Sequence, residues 1–181
     1  MTGSRYPYET EPEAYFGEIP SCFEGFLVES LAYGVLAACG VHGPPVPVRD
    51  MIRDPHPVFE RLSLLELSLG LYDAVYRSMI NGSCLIAVGL DHPRDVQRYA
   101  IARELYVAFC CSLRAAELDW PDRSQAREWS SFFARCLLMP AAWVQQVHPT
   151  THSLAALAAV FDVSTDLAEA RLRELGIDPT K

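Results

Sequence analysis

The chain reads as an α+β domain, predominantly helical with one small sheet, and three stretches predict this. Ala74-Val-Tyr-Arg-Ser-Met-Ile80 and Ser83-Cys-Leu-Ile-Ala-Val88 read as strands joined at Asn81-Gly82, a dipeptide that accepts the positive φ of a two-residue hairpin turn. A long helical pattern then runs from about Pro93 to Glu117, opened by Asp91 near its N-cap and Pro93 in its first turn. A second pattern spans roughly Ser124 to Leu138 and stops at Pro140, because a proline ring disfavours helix in the residue before it.

The remaining elements follow in order. Ser21 and Glu24 form a capping box, and Phe23, Phe26, Leu27, Leu31, Val35 and Ala38 continue at helical spacing to a stop at Gly40. Five prolines between Pro44 and Pro57 leave room only for a short helix near Val48–Asp54. The dense leucines of Leu62–Leu71 read as helix rather than strand. Pro140 can itself start a short helix through Val147. Two short helices close the chain, Ser153–Phe161 and Ser164–Leu175, with Ser164 as N-cap and Gly176 as stop.

Composition narrows the function classes. The 181 residues suggest one domain, and at 50% hydrophobic they supply a sizeable core. Fifteen Lys and Arg against 23 Asp and Glu give a net charge of −8, which works against general binding to nucleic acid or anionic membranes. The six cysteines show no CxxC and no disulfide-framework spacing, and the N-terminus lacks a signal-peptide pattern. No apolar run approaches the ~20 residues of a membrane span. These features predict a soluble cytoplasmic protein with reduced, mostly buried thiols. Residues 1–20, with three prolines and four glutamates, read as a flexible arm made sticky by Tyr6, Tyr8, Tyr15 and Phe16. Residues 21–147 form the main domain, and 148–181 a helix pair packed on it.

The middle of the chain resembles a known family. Arg98, Ala102, Glu104 and Leu105 match the RxxxAHELGH helix of the ImmA/IrrE zinc metallopeptidases, preceded as there by a strand, CLIAVG. Phe133-Ala134 and Leu137-Leu-Met-Pro140 match that family's ExEANxFAxxLLMP helix. FDVSTDLAEARLRELGI is similar to its FxVSxxAxxxRLxxLGL ending. The resemblance implies a zincin-like fold. In active members it implies a zinc held by the HExxH histidines and the Glu of the EAN triplet, with the helix Glu as general base.

Departures from the motif fall on the metal ligands. Arg103 and Val107 stand at the two histidine positions, and alignment through the LLMP motif puts Trp129 at the third. Glu128 is one residue off, about 100° around the helix. Only the base position, Glu104, keeps its residue, and without a metal-bound water it has nothing to activate. The expected cofactor is therefore none. His148 and His152 have i, i+4 spacing but lie in loop-like sequence beside Pro149, a poor basis for a metal site. Arg103 needs either a carboxylate or a route to water, with Glu128 of the facing helix the better candidate over the adjacent Glu104. Tyr99 and Tyr106 would line the cleft, and Val107 and Trp129 would fill it.

The implied function is a degenerate, inactive pseudopeptidase with a regulatory role. Active members of the family cut helix-turn-helix repressors in bacterial stress or mobile-element regulation, so the expected partner is such a repressor or a peptide. One alternative is a metallopeptidase with a rearranged site. Another is a DNA-binding regulator using the C-terminal pair, which has helix-turn-helix rhythm but a locally acidic second helix.

Overall fold

The computed structural model describes residues 22–53, 59, 61–117, 120 and 126–179, with the side chains of Cys22, Leu113, Arg114 and Glu128 excepted. The expected arm at 1–20 and the Ser21 cap lie outside these residues. Along the chain come α1 (Cys22–Ala38), α2 (Val48–Arg53), β1 (Leu62–Leu67), β2 (Ala74–Ser78), β3 (Cys84–Gly89) and α3 (Arg94–Cys110). Then follow α4 (Leu113–Glu117), α5 (Ala126–Leu138), α6 (Ala141–Val147), a 3-10 turn at His148–Thr150, α7 (Leu154–Phe161) and α8 (Thr165–Glu174). No helix among the described residues is long and apolar enough to cross a membrane.

The sheet has strand order β1-β3-β2. β2 and β3 pair antiparallel as a hairpin, with Tyr76 opposite Ile86. The last pair is Met79 with Ser83, so the loop is Ile80-Asn81-Gly82, with Gly82 at positive φ, rather than a two-residue Asn-Gly turn. β1 pairs parallel to β3, Leu64 opposite Ile86. This corrects the helical reading of Leu62–Leu71: residues 62–67 are a strand, with Leu62 buried and Ser63, Leu65 and Leu67 exposed. Six residues are too few for a stable helix, and the open edge of β3 offers a ladder of backbone partners, so tertiary pairing decides the conformation.

Two further expectations at the central helix are corrected. α3 ends at Cys110 rather than Glu117, because Ser112 breaks the pattern. Its hydroxyl donates to the Phe109 carbonyl at 2.6 Å and accepts from the Ala115 amide, closing one helix and capping the next. Asp91 does not cap α3. Its Oδ2 accepts from the Ser68 hydroxyl and from the amides of Leu69 and Gly70, pinning the β1–β2 loop, while Pro93 occupies the N-cap position.

The layers stack around α3. One face of the sheet packs on α3, α3 packs on α5, and α5 packs on α1. α1 turns Val28, Ala32, Val35 and Leu36 inward, leaving Phe23 and Phe26 exposed. At the other end of the core, arginines hold the C-terminal pair. Arg98 of α3 donates through Nε to the Asp162 carbonyl at 2.8 Å, in the left-handed turn between α7 and α8. Arg171 of α8 is almost wholly buried. Its Nε donates to the Met139 carbonyl at 3.0 Å, and its other nitrogens reach Glu29 of α1 and Glu174. Arg135 also pairs with Glu174, at 2.5 Å.

Removing Arg171 would leave the Met139 carbonyl and the Glu29 carboxylate without this donor, and Glu174 with Arg135 alone. Loss of one partner of a buried ionic set costs roughly 3–5 kcal/mol. Arg171→Met should lower the unfolding free energy by about 3 kcal/mol, read from the urea midpoint at constant m-value.

Candidate functional site

The helix that would carry zinc ligands in an active relative is α3, and Glu104 lies at its centre. The residue is 2% exposed. Its Oε2 accepts from the Tyr76 amide of β2 at 3.0 Å, and its Oε1 faces the Arg127 guanidinium at a long 3.4 Å. The ladder explains why that amide is available. Met79 N–H donates to Ser83 O and Gly89 N–H to Asp73 O, so residues 73 and 79 turn their backbone groups toward β3. By the two-residue period of a strand, Ala74 and Tyr76 turn theirs outward, to the free edge of the sheet. Glu104 takes the Tyr76 donor, and Asp73 Oδ1 takes the Ala74 donor at 2.7 Å.

Arg103 sits beside this. Its guanidinium donates to Asp73 Oδ2 at 2.6 Å and lies 5.4 Å from the centre of the Tyr99 ring. Both members of the ion pair are about four-fifths buried. The pairing settles the sequence-level choice for Arg103: the carboxylate comes from the loop before β2. The Glu128 side chain lies outside the described set. Asp73 and Arg127 were not anticipated. Nothing in the spacing of Leu71-Tyr-Asp73 marks a partner thirty residues ahead, because the contact exists only once the hairpin folds onto α3.

The other positions are filled with apolar volume. Val107 and Trp129 are both buried, within one continuous core. The Tyr106 ring lies 5.0 Å from that of Phe133, and its hydroxyl accepts from Trp120 Nε1 at 3.4 Å. Tyr99 is 2% exposed. So Tyr99, Arg103 and Glu104 gather at the β2 edge, while Tyr106 contributes to the aromatic packing beyond it.

Electrostatics follow from burial. Desolvation pushes the Glu104 carboxyl above its ordinary value, against the opposing pull of Arg127, Arg103 and the Tyr76 amide, with Asp73 adding to the rise. Burial also raises the Tyr99 and Tyr106 phenols. It pushes the Cys110 thiol up to about 11 and Cys136 up to about 12, so neither is a ready nucleophile. Among the described residues, no three His, Cys, Asp or Glu gather as a metal-holding group, and His148 and His152 belong to none.

A small mixed sheet laid on a helix with this motif, backed by an LLMP helix, defines an α+β zincin-like domain. The family model described as the IrrE N-terminal-like domain matches residues 61–173, and the chain belongs to that family. A Mycobacterium tuberculosis transcriptional regulator of solved structure is similar in fold, with a TM-score of 0.56 and 17% identity. The match covers 80% of this chain and 46% of that one, so the chain spans less than half of its length. No curated protein matches the chain.

A raised carboxyl has a defined pH signature. Between its ordinary and raised values the folded state holds more protons than the unfolded chain, so Glu104's contribution to stability falls as pH rises through that window. The melting-temperature difference, wild type minus Glu104→Gln, should therefore be most favourable to wild type at the acid end and decline toward neutrality. A difference that is flat with pH would contradict the assignment.

Proposed function

We propose that this chain is a pseudopeptidase: a cytoplasmic, non-catalytic member of its family that binds a protein or peptide, with a helix-turn-helix repressor as the partner implied by the family. The observation that carries this reading is the capture of Glu104 by the Tyr76 amide. A general base must face a metal-bound water, whereas here the carboxylate is tied to a backbone donor and an arginine.

The donor set at the family's ligand positions does not fit zinc. A guanidinium has no lone pair to give, an isopropyl group has none, and an indole offers only an N–H. The Arg103 guanidinium is itself committed to Asp73. A DNA-binding role for α8 lacks a comparable basis. Arg171 is buried against Met139, and Arg173 pairs with Glu169 at 2.5 Å, so both arginines of α8 are engaged.

Tag-free protein should contain no stoichiometric metal by elemental analysis, and added zinc should leave the melting temperature unchanged. It should bind, and leave uncut, a helix-turn-helix repressor encoded beside its own gene. Stoichiometric zinc that stabilises the fold would overturn the reading, as would metal-dependent cleavage of that repressor.

A further inference from the structure

α1 is apolar on both sides, and only one side is used. Its inward face joins the core, while Phe23 is 71% and Phe26 67% exposed, with Ser30, Tyr33, Gly34 and Ala37 also at the surface. Its charged residues are Glu24 and Glu29, and Glu29 is taken by Arg171. A helix that is apolar all round is normally buried all round.

We infer that the outward face of α1 is a homodimer interface, occupied by the same helix of a second copy running antiparallel. Phe23, Phe26, Ser30, Gly34 and Ala37 succeed one another at spacings of three, four, four and three residues, the seam of a helix pair. Along that seam the large side chains stand at one end and the small ones at the other. An antiparallel copy with its two-fold axis at Ser30 sets Phe23 against Ala37 and Phe26 against Gly34, so bulk meets space at each step.

Three observations single out a second copy as the occupant. The seam carries no charge on a chain of net charge −8, so like copies meet there without the repulsion that the acidic surface imposes elsewhere. Gly34 is unexplained within one copy: a Cβ added there would meet nothing within 4 Å, yet glycine weakens a helix interior. A phenyl ring approaching from a partner helix would use that space. The rings supply a large share of the area. The four phenylalanines of two copies expose on the order of 550 Å², taking about 200 Å² per aromatic side chain, more than half of the roughly 1,000 Å² that a specific contact needs. This interface is independent of the cleft and of the pseudopeptidase reading.

Sedimentation equilibrium of the full chain should give twice the chain mass. Phe26→Arg and Gly34→Glu, both at exposed positions, should each weaken association by about thirtyfold or more while leaving the circular dichroism spectrum unchanged. Mixing these two variants should restore a dimer, because the antiparallel register places Arg and Glu opposite one another. A monomeric wild-type chain would overturn the inference, leaving residues 1–21 or a different protein as the cover. So would a dimer that survives both substitutions, or two folded variants that fail to pair.

Discussion

Burial of charge on the central helix is the constraint around which this fold is arranged. α3 lies between the sheet and α5, yet carries Arg98 and Glu104, both at most 4% exposed. Neither can sit there without partners, since an isolated buried charge costs several kcal/mol. Arg98 finds the backbone carbonyls of Phe161 and Asp162 and the Asp162 carboxylate. Glu104 finds the Tyr76 amide. Two points on the helix thus specify what must lie against them: the turn of the C-terminal pair near its start, at Arg98, and the free edge of β2 at its centre, at Glu104.

The family's motif residues divide along the same line. Arg98, Met139 and Arg171 match the motifs and hold the pieces together through backbone carbonyls and ion pairs, Arg98 by way of Asp162 at a position the motif leaves open. At the positions that the motif resemblance aligns with zinc ligands stand Arg103, Val107 and Trp129. Their side chains bind α3 to its neighbours. The Arg103–Asp73 pair ties α3 to the start of β2, and Val107 and Trp129 add buried apolar surface between α3 and α5.

How much of this was legible in the sequence depends on the range of the interaction involved. The stop before Pro140 and the cap at Ser164 are local, and each falls where its residues predict, while the hairpin at Asn81-Gly82 forms with one more residue in its loop than the dipeptide predicts. The strand at Leu62–Leu67 is not local. Its leucines suit helix or strand, and only the neighbouring edge of β3 decides between them. Ser112 lies inside a strong helical pattern, so periodicity alone does not show the break that its hydroxyl makes. At the site, the unusual residues at 103, 107 and 129 were readable from motif spacing. Asp73 and the Tyr76 amide were not, because a partner contributed by a folded hairpin leaves no periodic trace.

The edge of β2 gives Glu104 a consequence beyond its own burial. An exposed sheet edge is a template for an added strand, and proteins that leave one open either use it or block it. Here two of the three outward amides of β2, those of Ala74 and Tyr76, are blocked by carboxylates, and each carboxylate is itself balanced by an arginine. A peptide adding to this edge would have to displace both Asp73 and Glu104. Displacing Glu104 would cost this buried carboxylate its backbone donor, leaving the largely exposed Arg127 and the Asp73-bound Arg103 as its nearby positive charges. The rearrangement needed to free these amides therefore works against strand addition along β2.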